Sequence, residues 1–367
     1  MPPKKLIHMA SAKGHSFQNS IIQAIKDIAV GPDRGRDISR ELAQNVAQGI
    51  LQGEIDEVQV SIFLIALRMK RESLDEFAGI LDALIQATYS VEAEEDDVLV
   101  LADPFDGYVR TLTMTPFIPP ILAALGLNVV IHGVRSVGPK FGVTAHKVYE
   151  LAGCGTTESV QSCSKTLSEF GFCYVDQAQY APSLYELNNL RGRMIKRTAI
   201  TTLERVLMPI KGRKKTSLAL GYVHKAYPNI YTKMAFQAGF DSVLLVKGVE
   251  GGLAPALNKP LRKYVFSEEP PGNADDHKIH METPYSITSR LAGPVLEEQC
   301  AAVARCLELG KNVLTGQSGI ARDSLVLASA NILNFIEPEL SLKQAVEKVK
   351  ACLDNGSAAA RFEAFCQ

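Results

Sequence analysis

Between Ser16 and Tyr89 apolar residues return every three or four positions, the period of helices buried along one side. Ile21, Ile22, Ile25 and Ile28 form one stripe; Leu42, Val46, Ile50 and Leu51 form a second that opens after Asp37 or Ser39 as N-cap. A third stretch, VQVSIFLIALRMK, is apolar on most sides and so reads as packed against neighbours. The fourth opens with a capping box from Ser73 to Glu76 and continues through Phe77, Ile80, Leu81, Leu84 and Ile85. Together they predict a small N-terminal helical bundle.

The period then changes. Short apolar runs with β-branched residues read as buried strands: DVLVLAD (97–103), LNVVIHG (127–133), GFCYVD (171–176), SLALGYVH (217–224), SVLLVKG (242–248) and KNVLTG (311–316). Helical stretches lie between them, at Thr144–Ala152, Lys225–Gly239 and Leu296–Leu309. Alternation of this kind predicts a larger α/β domain with a mainly parallel central sheet flanked by helices. Its ligands are expected in the loops at the carboxyl ends of the strands.

These patterns divide the chain into a flexible basic arm (1–16), a helical domain (17–92) and an α/β domain (96–367). An arginine-rich helical stretch at 182–209 interrupts the alternation, and its helices over 182–195 are expected on the bundle. Residues 255–290 are polar and proline-rich and read as a long surface excursion.

Composition narrows the function classes. The chain has 367 residues, 46% hydrophobic and 22% charged, with a net charge of −1. That balance suits a folded globular protein and gives no global case for nucleic acid or membrane, so any such case must be local. No apolar run is long enough for a membrane span or a secretory leader, and a cytoplasmic location is expected. The seven cysteines are scattered without a CxxC pair and read as reduced, buried thiols in a reducing compartment.

Chemistry concentrates in four places. After the strand ending at Asp103, PFDGYVRTLTMTP offers Asp106, Gly107, Thr113 and Thr115 before a helix blocked early by Pro116, Pro119 and Pro120. Hydroxyls and backbone amides there suit a phosphate, or simply cap the helix. In VVIHGVRSVGPKFGVT, Gly133 permits a tight turn and Arg135 can fork onto a phosphate or carboxylate, with Lys140 further along. His132 is either a donor or a structural residue. The cluster Arg191, Arg193, Lys196 and Arg197 either faces a cleft or is a solvated helix face. Lys211, Arg213, Lys214 and Lys215, in KGRKK, are either a nucleic-acid footprint or a solvated run. DDHKIH (275–280) has some metal-ligand character without a helix to organise it.

Three of these segments resemble the anthranilate phosphoribosyltransferase family, which is related in fold to pyrimidine nucleoside phosphorylases. DISRELAQNVAQGILQGEIDEVQVSIFLIALRMKRESLDEFAGI is similar to the family's helical domain, and LGLNVVIHGVRS to its lysine-histidine-glycine-asparagine-arginine-serine loop. YAPSLYELNNLRGRMIKRTAITTLERVLMP resembles the helix with the anthranilate-side arginine, here Arg191. The resemblance spans about residues 37–350 and implies a homodimer built through the helical domains. It also implies a cleft in which phosphoribosyl pyrophosphate, with magnesium, meets an aromatic acid.

Departures from the family pattern fall on the chemistry. The glycine-threonine-glycine-glycine-aspartate stretch is ADPFDGY here; the loop's lysine and asparagine positions are Ile131 and Val134. Where the family has an aspartate-glutamate pair for magnesium, this chain reads Val249-Glu250-Gly251-Gly252-Leu253-Ala254, leaving Glu250 as the one metal candidate. These departures count against anthranilate phosphoribosyl transfer. Two functions remain. One is a glycosyl or phosphoribosyl transferase relative with a phosphorylated sugar or nucleotide-like ligand, bound by Asp106, Gly107, Thr113, Thr115, His132, Gly133, Arg135 and Arg191. The other is a non-catalytic homodimer that binds DNA or RNA, as a divergent branch of the family resembles, through KGRKK and the arm carrying Lys4, Lys5 and Lys13.

Overall fold

The computed structural model describes residues 4–31, 33–269, 280–282 and 299–367, and these divide into two compact units. One comprises the chain up to Thr88 together with Ala181–Leu207; the other comprises Tyr89–Tyr180 and Met208–Gln367.

The first unit is helical. It contains α1 (Lys4–Ile28), α2 (Arg40–Leu51), α3 (Glu57–Lys70) and α4 (Leu74–Gln86), then short helices at Pro182–Glu186, Asn188–Met194 and Ala199–Leu203. Helix α1 begins at Lys4, inside the segment expected to be a flexible arm. After Pro3 the segment has no further proline and carries the good helix formers Lys4, Lys5, Leu6, Met9, Ala10, Ala12 and Lys13, which outweigh the single Gly14. Ser39, Asp56 and Ser73 cap α2, α3 and α4 through their side-chain oxygens. Gly79 in α4 lies against the Arg40 carbonyl and Ala43 of α2, where a Cβ would not fit. Ile21, Ala24 and Ile28 are buried whereas Ile22 is exposed, so the stripe on α1 is narrower than the sequence pattern indicates.

In the second unit, β1 (Val91–Glu92) and β5 (Ile210–Lys211) form a small parallel pair. The main sheet contains β2 (Asp97–Ala102), β3 (Val129–Gly133), β4 (Phe172–Asp176), β6 (Lys215–Tyr222), β7 (Ser242–Lys247), β8 (Leu261–Phe266) and β9 (His280–Glu282). Its order is β4-β3-β2-β6-β7-β8-β9. The five strands from β4 to β7 are parallel and β8 and β9 antiparallel. Ala102 is in register with His132 and Leu220, so the loops after β2, β3 and β6 leave the sheet at one level. Helices α5 (Ile118–Ala124), α6 (Ala145–Ala152) and α7 (Val160–Phe170) follow β2 and β3, and helices at Gln299–Leu314, Ile320–Ile336, Leu342–Asp354 and Ser357–Phe365 complete the core.

Four expectations are corrected here. Lys311–Leu314 is the end of a helix, not a strand, because a short buried apolar run has the same signature in either state. Leu261–Phe266, inside the expected excursion, is a mostly buried strand paired antiparallel with β7 on one side and β9 on the other, with Arg262 and Val265 exposed. The prolines after Thr115 do not break a helix: Pro119 and Pro120 sit in the first turn of α5, where no amide partner is lost. Cys154 and Cys366 are joined as a disulfide across 212 residues, while Cys163, Cys173, Cys306 and Cys352 are free and buried. The DDHKIH stretch lies outside the described residues except His280.

Candidate active site

Past β2 the chain folds back on itself. Asp103, almost fully buried, accepts hydrogen bonds from the Tyr108 hydroxyl at 2.7 Å and the Thr115 hydroxyl at 3.2 Å. The Thr115 amide donates to the Thr113 hydroxyl oxygen at 3.1 Å. Thr113 and Thr115, expected to face a phosphate, are therefore buried and spend their polar atoms inside the loop. Gly107 has φ +74°, and a Cβ there would lie 2.7 Å from Gly142 and Val143 backbone atoms. Only glycine lets the loop turn this close to the next one, to which Tyr108 is paired through Val143.

The loop after β3 has an apolar centre. Val134 and Val137 form a buried cluster with Phe105 from the preceding loop. His132 is hydrogen-bonded through Nδ1 to the Tyr180 hydroxyl at 2.9 Å and meets the Phe105 ring edge-on at 5.4 Å, so it is held as a structural residue. Gly133, half-buried, lies above Tyr174. Arg135 is exposed and engaged with Glu150 of α6 at 3.0 Å. Lys140 is turned inward instead, 3.1 Å from Glu250 and 3.6 Å from the buried Asp106.

Glu250 completes the arrangement. Its backbone has φ 53° and ψ 15°, left-handed values unusual for a residue with a side chain. One carboxylate oxygen accepts the Arg110 amide at 2.8 Å, the Thr111 amide at 3.0 Å and the Thr111 hydroxyl at 3.2 Å. The other accepts the Val109 amide at 3.3 Å and Lys140 Nζ at 3.1 Å. Burial alone would raise its pKa, but the Lys140 charge and the amide bonds outweigh that and hold the carboxyl below its ordinary value. The carboxylate is thus charged and fully engaged. It presents no open oxygen to a magnesium ion, and among the described residues no three His, Cys, Asp or Glu side chains are grouped to hold a metal. The residues present do not fit the metal that the sequence resemblance implies.

The known proteins that this chain matches share the two-part architecture. Residues 22–88 match the model of the helical bundle domain of a glycosyl transferase family, and residues 107–359 match that of its α/β domain. The chain belongs to this glycosyl transferase family. It is similar to an uncharacterised protein of Aquifex aeolicus, 29% identical over 81% of this chain and 87% of that one. It is also similar to an anthranilate phosphoribosyltransferase of Erythrobacter litoralis, 28% identical over 54% of this chain and 58% of that one. Its fold is shared with the Saccharomyces cerevisiae anthranilate phosphoribosyltransferase solved with phosphoribosyl pyrophosphate and magnesium. There the TM-score is 0.70 at 15% identity, over 95% of this chain and 97% of that one.

Within this family framework, two further groups of expected site residues are engaged elsewhere. Arg191 is buried in the helical unit, bonded through both terminal nitrogens to Glu204 at 2.7 and 2.8 Å. Three cations of the basic run face acids on the adjacent segment: Lys211 pairs with Glu92, and Arg213 and Lys214 both pair with Asp96. Lys214 holds the Asp96 carboxyl below its usual range. Lys215 begins β6 with its side chain exposed. The site also has members that pattern reading missed. Tyr108 bonds Asp103 and pairs with Val143, Phe105 packs under the β3 loop, and the amides of residues 109–111, invisible to any residue-type motif, supply most of the donors to Glu250.

Proposed function

We propose that this family member does not transfer phosphoribosyl groups to anthranilate and works instead as a homodimer that binds nucleic acid. The observation that carries the first half is the engagement of Glu250 by Lys140 and the three amides of residues 109–111. Expulsion of pyrophosphate needs its charge neutralised, by metal or by donors. Here the donors already hold a carboxylate, and that carboxylate is withdrawn from metal binding.

A polyanion as ligand is supported by charge placement. No acidic residue precedes Asp27, whereas Lys4, Lys5, Lys13 and Lys26 all fall within α1. The ion pairs of the KGRKK run are solvent-exposed and screened, so they hold weakly and backbone phosphates can exchange for the carboxylates. A homodimer through the helical unit is supported by Val58, Ile62 and Met69 on α3. They are 68%, 43% and 72% exposed and spaced four and seven residues apart, which places them on one face. Dimerisation doubles each cationic patch. A cytoplasmic location belongs to this reading; among the described residues no helix is long and apolar enough to cross a membrane.

The test is binding of single- and double-stranded oligonucleotides by fluorescence anisotropy, from about 50 to about 200 mM salt, beside calorimetry with phosphoribosyl pyrophosphate and magnesium. Steep loss of oligonucleotide affinity with salt and no pyrophosphate binding are expected. Micromolar, magnesium-dependent binding of the sugar, with product formed from anthranilate, would overturn the reading in favour of a working transferase.

A further inference from the structure

The donors around Glu250 form a set that a surface glutamate does not need. Three consecutive amides, one hydroxyl and one ammonium converge on two oxygens within 3.3 Å. Successive backbone amides that point to a common centre make an anion cradle, the geometry used for phosphate and carboxylate ligands. A second, independent observation concerns the residue that fills it. Glu250 stands in the left-handed region between Gly248 and the pair Gly251 and Gly252. A glycine at 250 would adopt that conformation freely, whereas a glutamate does so only with compensation. The compensation on view is the cradle itself. A third observation is Lys140, drawn in until its side chain is 15% exposed and set between Glu250 and Asp106.

We infer that the amides of Val109, Arg110 and Thr111, the Thr111 hydroxyl and Lys140 form a phosphate-class anion site whose resident ligand is the chain's own Glu250 side chain. The inference rests on the reading above that this site does no phosphoribosyl chemistry, and it states why: the site is closed by a tethered competitor. A side chain fixed a few bonds from its receptor acts at an effective concentration far above that of a free ligand in solution. A free phosphate or phosphomonoester must displace it, and gains only the difference between its own contacts and those of the carboxylate. Removing the tether should therefore create affinity that the native chain lacks.

The experiment uses the full chain and inorganic phosphate as probe, followed by calorimetry and by the phosphate dependence of the melting temperature. Glu250→Gly empties the cradle and suits the left-handed backbone. Glu250→Gln keeps the side chain's shape and removes its charge, and serves as the second variant should the glycine substitution loosen the loop. Glu250→Gly is expected to bind phosphate at least about tenfold more tightly than the native chain and to melt higher as phosphate is added. Glu250→Gln should gain less. Adding Lys140→Met to Glu250→Gly should abolish the gain. Equal phosphate binding by native chain and both variants would overturn the inference, as would a gain that survives Lys140→Met. Failure of the functional reading is separately visible, because it is read on the native chain with oligonucleotides and phosphoribosyl pyrophosphate.

Discussion

Arg191 and Glu204 form a two-point ion pair inside the helical unit, with 3% of the arginine side chain and none of the glutamate exposed. Asn188 accepts a further bond from the same guanidinium at 3.0 Å. A buried charge left alone is far costlier than the pair is favourable. Arg191→Ala should therefore lower unfolding stability by about 3–5 kcal/mol in urea denaturation. A loss below about 1 kcal/mol would mean that the arginine is not a structural partner and could be spared for a ligand.

Gly107→Ala tests the fold of the loop that supplies the amide cradle. The substitution meets both a positive φ and backbone atoms 2.7 Å from the new Cβ. We expect a loss of at least about 2 kcal/mol, measured by thermal and urea unfolding. An alanine variant as stable as the native chain would mean that the loops after β2 and β3 separate easily.

Ile131→Lys would restore the lysine that the family resemblance places at the start of the β3 loop. Ile131 is fully buried in the core of the α/β unit, so the charge would have no partner there. The expected result is destabilisation of about 3–5 kcal/mol, read as lowered melting temperature, with no phosphoribosyl pyrophosphate binding gained. A stable variant that binds the sugar would show that β3 can present this position to a ligand.

Burial pushes the thiols of Cys163 and Cys306 up to about 12. Native protein alkylated at about pH 8 should leave both unmodified in peptide mass mapping, and unfolded protein should label at both. The sign of the pH effect follows from a folded pKa above the unfolded value of about 8.5. The stability these thiols confer is intact below that value and falls as pH climbs toward about 12. A urea midpoint that stays flat between about pH 8.5 and 10.5 would argue against buried, neutral thiols.

Local pattern made the helical unit legible. The capping residues Ser39 and Ser73 stand immediately before their helices, and the apolar stripe of α4 follows a helical period, because caps and amphipathic faces are written within a few residues. The parallel strands β2, β3, β4, β6 and β7 were legible for a related reason: a strand buried on both faces needs an unbroken apolar run. The same rule misread Lys311–Leu314, where the apolar run closes a buried helix.

The chemistry was another matter. Residue types in the sequence pointed to the loops that follow the parallel strands, and Asp106, Gly107, Gly133 and Glu250 lie at the carboxyl ends of β2, β3 and β7. Only the tertiary structure decided which groups face one another. It gave Arg135 to Glu150, Arg191 to Glu204 and Lys214 to Asp96, and it brought Lys140 and Glu250 together across 110 positions of chain. Charges and amides act over a few ångströms, so their partners are set by where the fold returns the chain, and no local spacing in the sequence records that.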